Sequence, residues 1–163
     1  KKKQPPPPYV LQILTPEYLI EGTVEGNAHL AFPGDMVGMS FPMTSAEIQT
    51  IGVAEVPVQS CARFVAVAGN AVALIPRTDV TQLEHYVLWK EFKQPLQATF
   101  YLGPYLVRGR MMYVVPGHLE RDMPVWDVRI TCVDPDARWD GLSAPFALVN
   151  TRWLRGYEPD EGA

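Results

Sequence analysis

The chain has 163 residues, of which 47% are hydrophobic and 20% charged, with a formal net charge of −4. That composition belongs to a globular protein long enough to bury a core or to divide into two units, and it offers no apolar run near the ~18–20 residues that cross a bilayer as a helix. The acidic balance argues against nucleic acid as a partner, since phosphate contacts dominate that kind of affinity.

Two cysteines form neither a disulfide framework nor a metal motif, so reduced thiols and a cytoplasmic setting are expected. Sixteen prolines and twelve glycines suit short strands joined by frequent turns. An all-β fold is the expectation.

Residues 1–7 open with Lys1 to Lys3 and a proline run, which reads as a stiff polyproline tether with a solubilising basic end. Strands follow: YVLQIL from Tyr9 to Leu14, ended by Thr15-Pro16, then YLIEGTV from Tyr18 to Val24. In the second, Tyr18, Ile20, Gly22 and Val24 share one face and Leu19, Glu21, Thr23 and Glu25 the other. AEIQTI, Ala46 to Ile51, is a third strand. The apolar runs either side of Ala68-Gly69-Asn70 read as a hairpin with a short turn. Residues 77–94 are a linker, either helical over 80–92, because Asp79 and Gln82 resemble a capping box, or extended through HYVLW.

The second half repeats the first. YLVRGRM, Tyr105 to Met111, matches YLIEGTV, Pro95 meets Pro8, and Ala98 to Tyr101 meets Leu11 to Leu14. After one deletion in a loop, Ile130 falls on Ile48, Phe146 on Phe64, Val149 on Val67 and Leu154 on Val72. The expected organisation is therefore β repeat 1 over 8–76, β repeat 2 over 95–158, and an acidic tail over 159–163. Each repeat has about five strands and forms a small β-barrel or rolled sheet.

The run FVAVAGNAVALIP, Phe64 to Pro76, with the preceding YLIEGTV and its bend-forming Gly22, resembles the closing strand pair and early strand of Sm and Sm-like proteins. The resemblance implies a small β-barrel that assembles edge to edge. Ala68 stands where the family's turn arginine would be, the second copy reads VNTRWL from Val149 to Leu154, and the early loop has no Asp-x-x-Asn pair. The family's RNA site therefore does not follow from the shape.

Residues 8–76 carry six acidic side chains and one basic, Arg63, whereas residues 95–158 carry seven of each. On the polar face of the matched strand, Glu21 and Glu25 stand where the other copy has Arg108 and Met112, with Arg110 between. Opposite signs at matched positions favour pairing one copy with the other. Glu21, Glu25, Arg108 and Arg110 are the candidate protein-interface residues, and the expected partner is protein, including a head-to-tail homo-oligomer.

Arg152, Trp153 and Arg155 interleave cations with an aromatic ring, which marks a second interface or, for an Sm-like RNA-binding protein, a nucleic-acid contact. His29, His85 and His118 have no ligand spacing, and His118, Glu120 and Asp122 read as a solvated turn. Cys132 reads as a buried, inert thiol. No catalytic, cofactor or metal residue is expected, and the leading function is a non-enzymatic interaction or assembly module. A small-ligand or enzymatic site between the repeats is the third reading.

Overall fold

The computed structural model describes residues 8–25, 39–52, 58–77, 95–112 and 122–160. Ten strands are present: β1 (Tyr9–Leu14), β2 (Tyr18–Val24), β3 (Ser40–Thr50), β4 (Gln59–Val67), β5 (Ala73–Arg77), β6 (Pro95–Leu102), β7 (Tyr105–Met112), β8 (Asp122–Cys132), β9 (Leu142–Asn150) and β10 (Leu154–Pro159). All are antiparallel in one sheet of order β10-β6-β7-β8-β9-β5-β1-β2-β3-β4. The described residues form no α-helix. The tether, residues 78–94 of the linker with its expected helix, and all three histidines lie outside the described residues, whereas Arg77 ends β5.

β2 follows from alternation, β1 is a mostly apolar run buried from Leu11 to Leu14, and a tight turn joins them. Thr15 Oγ1 accepts from the amides of Tyr18 at 2.9 Å and Glu17 at 3.3 Å, which reverses the chain at Pro16. Along β2 the apolar face of Ile20, Gly22 and Val24 is buried and Glu25 is exposed.

Two expectations are corrected. The strands do not close into small barrels: β4 and β10 each have one neighbour among the described residues, and the sheet continues from β5 into β9. Nor do the apolar runs around Ala68-Gly69-Asn70 pair as a hairpin. They are strands β4 and β5, but β4 pairs with β3, while β5 lies between β1 and β9. The connection is a 3-10 turn with extended residues at both ends, so the chain crosses over instead of folding back. β3 also begins six residues before the predicted Ala46, and β10 runs into the expected tail.

The core sits on both sides of the joint between β5 and β9. Leu74, Phe146 and Leu148 face one cluster with Leu11, Ile13, Phe41 and Met43. Ala73, Ile75, Ala147 and Val149 face the other, with Phe100, Leu102, Tyr105 and Ile130. Strand alternation thus makes these two strands a wall shared by two cores.

Besides a slip between Leu154 and Gly156 on β10, the pairing slips by one residue at two like places, between Glu21 and Thr23 on β2 and between Arg108 and Arg110 on β7. At each, the opposite strand carries a non-glycine residue with positive φ, Ser45 at 51° and Asp127 at 50°. Gly22 and Gly109 are the single residues that face the two-residue bulges of β3 and β8, where a Cβ would lie 2.7 Å from Met43 Sδ and 2.6 Å from Val125 Cγ1, respectively.

Candidate interaction surfaces

Two surfaces hold the sequence-predicted residues, and a third emerges from the fold. The first is the polar face of the paired strands. Glu21 of β2 stands opposite Glu47 of β3, and Arg108 of β7 opposite Arg129 of β8. Like charges directly across a ladder repel, so each needs local compensation.

That compensation is visible. Gln12 Nε2 donates to Glu21 Oε1 at 3.0 Å, and Arg77 Nε donates to Gln12 Oε1 at 2.7 Å. Arg108 forms an ion pair with Asp160 at 2.8 Å, Arg110 pairs with Asp127, and Arg129 donates to the Asp140 carbonyl at 2.7 Å. Glu21 and Arg108 themselves are not brought together: four strands lie between β2 and β7. Glu25 is exposed at the end of β2. Glu47 and Arg129 belong to the same two charged faces, and sequence reading passed over them although they occupy the polar side of the matched strands Ala46–Ile51 and Val128–Cys132.

The second surface is the corner from Asn150 to Arg155. Asn150 is buried and its side chain accepts from the Arg152 amide at 3.1 Å, fixing the 3-10 turn of Thr151–Trp153. Arg155 lies 5.9 Å from the Trp153 ring centre and donates to the Arg152 carbonyl at 2.9 Å. Trp153 is half-buried against the second core, and the Trp153 carbonyl accepts from Gly103 at 2.8 Å. The arginine already stacks on its own tryptophan, which leaves less of that ring for an outside base.

The third surface is the pair of sheet ends. β4 exposes Val65 (59%) and Val67 (64%), and β10 exposes Tyr157 (40%).

Asp122 is buried at the start of β8, opposite Asn150, and the other two members of its triplet lie outside the described residues. No group of three His, Cys, Asp or Glu among the described residues could hold a metal ion. A shallow depression lined by Asp127, Arg129, Ser143 and Pro145 lies on β8 and β9 alone, not between the halves. Among the described residues no helix is long and apolar enough to cross a membrane. Cys132 is half-buried, and burial raises its thiol pKa.

Tyr105 ties the second half to the first. Its buried hydroxyl donates to the Thr15 carbonyl at 2.5 Å, and its ring meets Trp139 edge-on at 5.7 Å. Burial, helped by Cys132 and Glu17, lifts its pKa far above the usual tyrosine range, and burial pushes Tyr9 up to about 12. A raised folded-state value means that the neutral phenol is favoured in the fold. The stability is fully present below the ordinary pKa of about 10 and is lost as pH rises through the folded values. Tyr105→Phe should cost about 1–3 kcal/mol at neutral pH, because a buried carbonyl loses its donor. Urea melts should also show a shallower loss of stability above pH ~10 for this variant.

Comparison with protein-family models, with curated proteins and with solved structures gives no match for this chain.

Proposed function

We propose that the chain is a non-enzymatic assembly module, built from two copies of one five-stranded unit that joins other units by its sheet edges. The joint of β5 with β9 carries this reading, since it is already an edge-to-edge contact between the halves, with Ala73 opposite Val149 and Leu74 opposite Leu148.

Several correspondences support two copies. β5-β1-β2-β3-β4 and β10-β6-β7-β8-β9 are the same order. Glu21 faces Glu47 as Arg108 faces Arg129; Pro42 faces Val65 as Pro124 faces Leu148; Ile13 faces Leu74 as Phe100 faces Tyr157. The bulge glycines, the positive-φ residues opposite them and the two 3-10 turns fall at matching places. On this reading β9 corresponds to β4 and β10 to β5, so the internal joint is a head-to-tail contact. The likeness to Sm and Sm-like proteins belongs to the same proposal, as a guide to the shape of the unit.

Electrostatics fit the reading. The acidic face of Glu21, Glu25 and Glu47 in one copy and the arginine face of Arg108, Arg110 and Arg129 in the other disfavour like meeting like.

Sedimentation equilibrium over a wide concentration range should show reversible association. Val65→Lys with Val67→Lys on the β4 edge should weaken it by about tenfold or more, with circular dichroism unchanged. A chain that stays monomeric throughout and is indifferent to both substitutions rejects the reading.

A further inference from the structure

We infer that the β4 edge is completed by the β10 edge of a second copy of this chain, in the register set by the internal joint. The inference rests on the assembly reading above and adds the partner, the edges and the residue pairs.

β4 is nine residues long with one charged side chain, Arg63. Natural edge strands are protected by charge, proline, shortness or cover, and a long apolar edge otherwise recruits another strand. Val65 and Val67 are the most exposed large apolar residues among those described, at 59% and 64%. At the internal joint the matching residue Leu148, together with Leu74 across from it, is at most 2% exposed. What the joint buries inside the chain, the two ends leave open.

The same register between copies sets Tyr157 opposite Val65 and Gly156 opposite Ala66, as Leu74 stands opposite Leu148 and Ala73 opposite Val149. Gly156 has open space around its Cβ position, so another backbone can approach there. The Asn150 amide donates to the Val72 carbonyl at 2.8 Å across the joint, and between copies the Val67 amide would donate to the Arg155 carbonyl in the same way. The register also sets Arg63 opposite Pro159, the last residue of β10. Because the two edges differ, a pair of copies keeps one free edge of each kind. The assembly is heterologous, and it closes into a ring or runs on as a filament.

Two single-edge variants test it: Val65→Lys/Val67→Lys blocks β4, and Gly156→Lys/Tyr157→Lys blocks β10. Each alone should sediment as a monomer, and an equal mixture should form a two-chain complex, because one open edge of each kind remains. In a separate mixture, Val65→Cys chains and Tyr157→Cys chains should oxidise to a 65–157 disulfide, at least about tenfold over a 65–65 disulfide by peptide mapping. Association that persists in both single-edge variants overturns the inference while leaving the assembly reading intact, and so does a dominant 65–65 disulfide. Absence of association in the unsubstituted chain overturns both.

Discussion

Gly141→Ala is expected to destabilise the fold by about 4 kcal/mol or more, among the largest single effects available in this chain. Gly141 has a φ of +85°, and a Cβ there would sit 2.2 Å from the Ile130 carbonyl oxygen. Ile130 pairs with Leu142, so relief would require β8 and β9 to separate where β9 begins. Neither backbone conformation nor space can yield cheaply. Gly109→Ala should follow at about 2–4 kcal/mol, because its Cβ would meet Val125 at 2.6 Å and the Trp126 carbonyl at 2.9 Å. At the matching bulge Gly22→Ala should cost a similar amount, about 2–4 kcal/mol, since Met43 Sδ at 2.7 Å can swing away but Met43 Cβ at 2.9 Å is held by the backbone. Gly69→Ala has nothing within 4 Å and should stay within about 0.5 kcal/mol. Urea melts of the four variants check the order, and a Gly141→Ala protein as stable as Gly69→Ala would contradict the backbone account.

The same glycines show how much was legible in the sequence. β2 could be read residue by residue, since a half-buried strand writes its two faces as alternation, whereas β1, buried from Leu11 to Leu14, was legible as an apolar run ended by the Thr15-Pro16 turn. The β4 and β5 segments were legible as strands but not as partners. Two apolar runs around Ala-Gly-Asn look like a hairpin, yet hydrogen-bond partners are a property of topology, and β5 spends its ladder on β1 and β9. The exposure of Val65 and Val67 was equally illegible, since it comes from lying at a sheet end.

Under the duplicated-unit reading, the overlay of Phe64 on Phe146 also slips. Met43 faces Phe64 as Val125 faces Ala147, which makes Ala147 the counterpart of Phe64 and Asn150 that of Val67. One extra residue before β9 shifts the match, and in a strand such a step exchanges the faces. Opposite charges at Glu21 and Arg108 were visible in the sequence. Their companions Gln12 and Asp160 were not, because they come from neighbouring strands and from the end of β10.

The second large effect belongs to the joint. Leu74→Ala and Leu148→Ala should each cost about 2–5 kcal/mol, as expected for emptying a buried leucine site. Both side chains are at most 2% exposed, and they stand opposite each other in a pairing where β5 and β9 share only two residue pairs. They also belong to a cluster that draws Leu11, Ile13 and Phe41 from the first half and Trp126 and Phe146 from the second. A void opened there is felt by both halves at once. The double variant should therefore depart from additivity by about 0.5–3 kcal/mol, since the first truncation already removes packing that the second would lose. It should also lower the denaturant m-value, as one cooperative transition begins to divide into two. An additive double variant with an unchanged m-value would mean that the shared wall does not couple the two cores. The joint would then be a poor template for contact between chains.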